Sequence, residues 1–178
     1  MKGISCTAIL ILLLHVGYTQ SAIFNAEDKK VIIAGHTNLI GSYYHVGSYV
    51  KERPLGFIEQ SVEIIPGKLK QLRFGVGSGF NLYPGTAVIP FFATIRYVKP
   101  INDKWGFSVI QSYGRNIQTG DIGFNSNRYY GDVGALFNFL PKLAMSFGLG
   151  YVFNWDRWGG KSLSFTGSLG LYYSFLRK

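Results

Sequence analysis

The stretch LAMSFGLGYVFNW, residues 143–155, constrains this chain more than any other feature. Every second residue from Leu143 is large and apolar: Met145, Phe147, Leu149, Tyr151, Phe153 and Trp155 follow in turn. The residues between them are Ala144, Ser146, Gly148, Gly150, Val152 and Asn154. Side chains alternate across a strand, so these are the two faces of one strand, one bulky and one nearly bare.

The same design recurs in runs of roughly ten residues bounded by turn residues, and no stretch of this region carries a helical period. LRFGVGSGFNL sets Leu72, Phe74, Val76, Ser78, Phe80 and Leu82 against Gly75, Gly77, Gly79 and Asn81. AVIPFFATIRY places Ala87, Ile89, Phe91, Ala93, Ile95 and Tyr97 on one face, with Thr94 and Arg96 on the other. WGFSVIQSY, YYGDVGALFNF and LSFTGSLGLYYSF repeat it, with Gln111 the polar exception on the apolar face of its run. The charges within strands decide which face is which. Glu59, Glu63, Arg73, Arg96 and Asp132 all fall on the Gly/Ser parity, and the bulky parity carries none. A lipocalin-type barrel or a soluble sandwich would reverse this and expose a band of Phe, Leu, Tyr and Trp far beyond what a soluble monomer tolerates. The bulky face is therefore expected to meet lipid, which makes the thin face the inside.

LGFIEQSVEII and GSYYHVGSYV supply two earlier strands, for about eight, the even number that a closed up-and-down outer-membrane barrel requires. KKVIIAGH reads as a tail or as an extension of the first strand. Pro66-Gly67-Lys68, Pro100 to Lys104 and Pro141-Lys142 are short turns at one end. Tyr83 to Thr86, the long Arg115 to Arg128 stretch and Asn154 to Lys161 form loops at the other. The expected fold is an all-β, closed antiparallel transmembrane β-barrel. Trp105 and Tyr113 bracket their strand, and nine tilted residues rise roughly 22 to 23 Å, close to the apolar band of such barrels. Tyr97, Trp105, Phe139 and Tyr173 are expected to form one aromatic girdle, and Tyr113, Tyr129, Phe153 and Trp155 the other.

The N-terminus agrees with that destination. Lys2, the apolar run from Ala8 to Val16 and the small or polar residues to Ala22 have the pattern of a cleaved signal peptide, and the run is too short to span a bilayer. The expected organisation is 1–21 signal peptide, 22–38 N-terminal tail and 39–178 barrel. Cys6, the one cysteine, falls in the signal segment, so no thiol chemistry, disulfide or thiolate metal site is expected afterwards. The net charge of +9 is spread singly through turns, loops and tails rather than clustered for tracking phosphates, so no nucleic-acid partner is expected.

The strands GKLKQLRFGVGSGFNLYPGTAVIPFFATIRY, KWGFSVIQSYG, YYGDVGALFNFLPKLAMSFGLGYVF and LSFTGSLGLYYSF together resemble the bacterial outer-membrane β-barrel domain family of small, porin-like barrels. The resemblance spans about Leu55 to Phe175. It implies a cell outer membrane location, outer-membrane lipid as surroundings, and insertion by the barrel assembly machinery, which reads an aromatic near the C-terminus. Here Phe175 is followed by Leu176, Arg177 and Lys178. The family has no single activity.

Lipid-modifying barrels use a Ser and a His on one face with an acidic partner, because the base must reach the nucleophile's proton. His36 and His45 have no Ser at two residues' distance and read as surface histidines without a role. No metal-ligand spacing or phosphate loop is present, and no cofactor is expected. The expected function is non-enzymatic, a structural or surface-recognition role of a monomeric barrel whose lumen is filled. A narrow pore is the second reading and a lipid-modifying enzyme the third. Glu59, Glu63, Arg73, Arg96 and Asp132 are expected to form a lumenal polar network, with Glu59 opposite Arg73 and Arg73 opposite Arg96.

Overall fold

The computed structural model describes residues 31–47, 56–83, 86–119, 125–140 and 142–177. The expected signal peptide lies outside them. The strands are β1 (Val31–Gly47), β2 (Gly56–Pro66), β3 (Leu72–Tyr83), β4 (Thr86–Pro100), β5 (Trp105–Thr119), β6 (Asn125–Leu140), β7 (Leu143–Trp155) and β8 (Lys161–Arg177). Each pairs antiparallel with its neighbours in sequence, and β1 closes on β8, giving a closed eight-stranded up-and-down barrel.

Burial follows the parity read from the sequence. Leu149, Phe147, Phe91, Ile95 and Val76 are exposed on the outer surface, whereas Arg73, Arg96, Asp132, Ser146 and Thr166 are buried in the lumen. This inverts a soluble protein. In lipid it is the stable arrangement, since the closed ladder satisfies every interior strand's backbone groups and the apolar band meets hydrocarbon.

Two expectations about boundaries are corrected. Residues 31–38 belong to β1 rather than to a tail: they pair with β2 from Val31↔Pro66 through Asn38↔Glu59 and with β8. The parity of β1 is broken by a bulge between Ser42 and Tyr44, which turns both Tyr43 and Tyr44 outward and His45 inward. The Arg115 to Arg128 stretch is not a long loop. Arg115, Asn116 and Ile117 pair with Asn127, Ser126 and Asn125, so β5 and β6 continue upward as a ladder. Above the lipid band the outer positions no longer need to be apolar, so alternation fades while backbone pairing persists.

Two apolar clusters cross the lumen. Ile32, Ala34, Ile65, Val98, Leu136, Ala144 and Tyr172 form one at the turn end, and Ile40, Phe57, Ile110, Tyr130 and Val152 form one above it.

Candidate functional site in the barrel lumen

The thin inner face has a mechanical purpose. Where a strand carries glycine inward, a side chain from one neighbouring strand can lean across it and reach the next strand but one. Glu63 on β2 is opposite Gly75 on β3, and Arg96 lies on β4; the Glu63 carboxylate passes over Gly75 to accept from Arg96 Nε at 3.1 Å. A Cβ added at Gly75 would stand 2.8 Å from Glu63 Cγ, and one at Gly77 would stand 2.6 Å from the ring of Phe92. Asp132 on β6 leans over Gly148 on β7, and its Oδ2 accepts from Ser168 Oγ on β8 at 2.7 Å. A Cβ at Gly148 would collide with that carboxylate. His36 on β1 crosses Gly170 on β8, bringing its Nε2 to 3.0 Å from Ser146 Oγ on β7. A Cβ at Gly170 would meet both of these partners.

The bridges gather into two groups. Nearer the turn end, Arg96 reaches both Glu63 and, through its NH2, His36 Nδ1 at 2.7 Å. Arg73, the cross-strand partner of Arg96, lies with its guanidinium carbon 4.4 Å from the centroid of the Tyr172 ring; that of Arg96 is 5.2 Å from the same ring. In the second group Arg128 pairs with Glu59, and Tyr130 donates to Asp132 Oδ2 at 2.8 Å. The guanidinium of Arg128 also lies 5.4 Å from the Phe92 ring and 5.5 Å from that of Tyr130. Toward the loop end, Asn116 Nδ2 donates to Ser126 Oγ at 3.0 Å and to Asn154 Oδ1 at 2.9 Å.

All five expected network residues line the lumen, but they do not join as expected. Arg73 faces Arg96, as the tight connection between Tyr83 and Thr86 dictates. Glu59, however, faces Gly79 rather than Arg73. A 3-10 turn at Gly67–Leu69 lengthens the connection so that Ile64 meets Phe74, which carries Arg73 past Glu59. The partner of Glu59 is Arg128, a residue assigned to a loop in the sequence. His36 is also buried rather than a surface histidine.

Of the expected girdle residues, Tyr113, Tyr129 and Phe153 occupy one row across β5, β6 and β7, with the Trp155 ring 6.0 Å from Tyr113 and 5.4 Å from Phe153. At the turn end Trp105 packs on Phe137 at 4.7 Å, with Tyr97 and Phe139 also on the outer face. Tyr173 is buried, its hydroxyl accepting from the outward Gln60 Nε2 at 3.0 Å.

The closed eight-stranded barrel with this inside-out partition matches a solved structure. Crystalline Neisserial surface protein A (NspA) superposes with a TM-score of 0.52 at 12% identity, over 83% of this chain and 98% of that one. The fold is that of the small outer-membrane barrels. The outer membrane protein OprG from Pseudomonas aeruginosa (TM-score 0.47, 8% identity, 83% of this chain and 96% of that one) and a de novo designed transmembrane β-barrel (0.45, 15%, 84% and 99%) are also similar. No protein-family model matches the chain, and no curated protein matches it in sequence.

What the lumen can do chemically is limited by its hydrogen bonds. Because Arg96 donates to His36 Nδ1, that nitrogen is the acceptor, and in the neutral ring the proton sits on Nε2, facing Ser146. A ring so oriented donates to the hydroxyl and cannot take its proton. Among the described residues no three His, Cys, Asp or Glu side chains come together to hold a metal ion.

Proposed function

We propose that this chain is an integral, monomeric β-barrel of the cell outer membrane, exported through a cleaved signal peptide and inserted by the barrel assembly machinery. Its role is structural or one of surface recognition, with no enzymatic activity and no conducting pore. The observation that carries the reading is the state of the lumen. Arg73, Arg96, Arg128 and Tyr172 are all essentially inaccessible, and two apolar clusters, one of them containing Tyr172, fill the lumen with them. At eight strands side chains can fill the interior, and here they are tied to one another across it.

The absence of enzymatic activity is supported by the His36 tautomer and by Ser146 being buried beneath it. The recognition role is supported by the β7–β8 connection, a rigid turn rather than a slack loop. Asp156 Oδ1 accepts from the backbone N–H groups of Trp158 and Gly160, both at 2.8 Å, and Gly159 adopts the positive φ of 87° that the turn needs. The turn holds Trp158 76% exposed, with the Arg157 guanidinium 4.6 Å from its ring. A fixed, amphipathic aromatic beside a cation suits a binding surface.

Single-channel recording of the purified barrel in planar bilayers tests the reading. Electrical silence is the expected result, and a steady open conductance would replace the structural role with that of a narrow pore. Release of fatty acid from outer-membrane lipid by the same preparation would contradict both.

A further inference from the structure

The two lumenal groups differ in charge. In the second group, Arg128 is matched by Glu59, and Asp132, held by the hydroxyls of Tyr130 and Ser168, adds one further negative charge. Nearer the turn end, Glu63 pairs with Arg96, and Arg73 beside it forms no ion pair among the described residues. His36 adds no negative charge, since the ring that accepts from Arg96 is the neutral imidazole. Whichever guanidinium Glu63 faces, one positive charge is left over.

The leftover charge is also short of hydrogen-bond acceptors. Arg73 is 1% exposed, and its Nε and NH1 have no partner among the described residues; Arg96 NH1 has none among them either. Glu63 Oε2 is unpartnered too, and could satisfy one of these donors. It cannot satisfy all three, and it cannot cancel two charges. The face of Tyr172, against which both guanidiniums lie, offers a quadrupole but no full charge. The three arginines and three carboxylates of the lumen balance in number, but Asp132 is engaged by Tyr130 and Ser168 in the other group, and a buried guanidinium with no anion beside it is strongly destabilising.

We propose that the Arg73–Arg96–Tyr172 cluster binds a small monovalent inorganic anion of the size of chloride within the lumen. The one excess charge of this group sets the valence. Glu63 and Tyr172, and Leu136 and Val98 in the apolar cluster with Tyr172, are all buried to within a few per cent, so only a small anion suits the site. The guanidinium N–H groups are the donors, and the tyrosine ring forms one wall. The site does not depend on whether the lumen conducts, so it stands or falls separately from the functional reading above.

The test uses the wild-type barrel, refolded in detergent at constant ionic strength while sodium chloride replaces sodium gluconate, whose anion is too large to enter. Chloride should stabilise the barrel saturably: a hundredfold excess over its dissociation constant raises the folding equilibrium constant about a hundredfold. Crystals grown in sodium bromide should show an anomalous peak between Arg73 and Arg96. R73Q should abolish the chloride-specific gain, and E63Q, which leaves two positive charges, should shift saturation to lower chloride. Should either variant fail to fold, the wild-type series and the bromide peak decide the matter. Equal responses to chloride and gluconate, a gain that survives in R73Q, or bromide crystals without a peak at the two arginines would each overturn the site.

Discussion

The outer surface of the barrel and its lumen obey different rules, although they are written on alternate residues of the same strands. Around Leu149 the outer row reads Val109, Val133, Leu149 across β5, β6 and β7. Any apolar side chain would serve there, because the neighbour is hydrocarbon and only class matters. Inside, residue identity matters. Gly148 must be glycine because Asp132 lies across it, Gly170 because His36 and Ser146 meet over it, and Gly77 because the Phe92 ring rests on it. The outer face is specified by hydropathy and the inner face by shape and pairing.

That contrast can be broken most severely from within. Glu59→Ala leaves the buried Arg128 without its carboxylate and should cost about 3 to 5 kcal/mol in a denaturant titration of the refolded barrel. Adding Arg128→Ala should recover part of that loss, and independent, additive costs would remove the pair from the account. On the lipid side, Leu149→Arg puts a charge near mid-strand and should cost about 2 to 4 kcal/mol in bilayers, where the penalty is depth-dependent. Gly148→Ser is isolated from lipid, yet it should cost about 1 to 3 kcal/mol by overpacking against Asp132. The smallest effect should come from Leu149→Ile, within about 0.5 kcal/mol, as for an exposed substitution away from any specific contact. If Leu149→Ile were as costly as Gly148→Ser, the two faces would not differ in kind.

The same contrast explains what could be read from the residues. Strand parity, the eight-strand meander and the direction each face looks were legible because lipid imposes a period-two apolar code that survives any register. Register was legible only where the turn is tight: Tyr83 to Thr86 places Arg73 beside Arg96, whereas the 3-10 turn at Gly67–Leu69 hides the true partner of Glu59. Arg128 was missed because it lies where the outer face has already left the lipid and alternation no longer marks a strand. The bridges Glu59–Arg128, His36–Arg96 and His36–Ser146 join strands that are not neighbours in the sheet. Such contacts arise from closure of the barrel and from the glycines that let side chains lean across a strand, and no local pattern encodes them. The glycine runs were nevertheless visible, and inward glycines flanked on the next strand by a buried carboxylate or histidine are the signal that could have pointed to the bridges.

The central claim, that one parity meets lipid and the other fills the lumen, can be measured on the strand that states it most plainly. The one cysteine of the chain, Cys6, lies in the expected signal segment, so single cysteines can be introduced along β7 from Leu143 to Trp155 and spin-labelled in reconstituted bilayers. Oxygen accessibility should oscillate with a period of two, high at Met145, Phe147, Leu149, Tyr151 and Phe153 and low at Ala144, Ser146, Gly148, Gly150 and Val152. The opposite phase, or a profile without alternation, would contradict the assignment of the faces and with it the lumenal network.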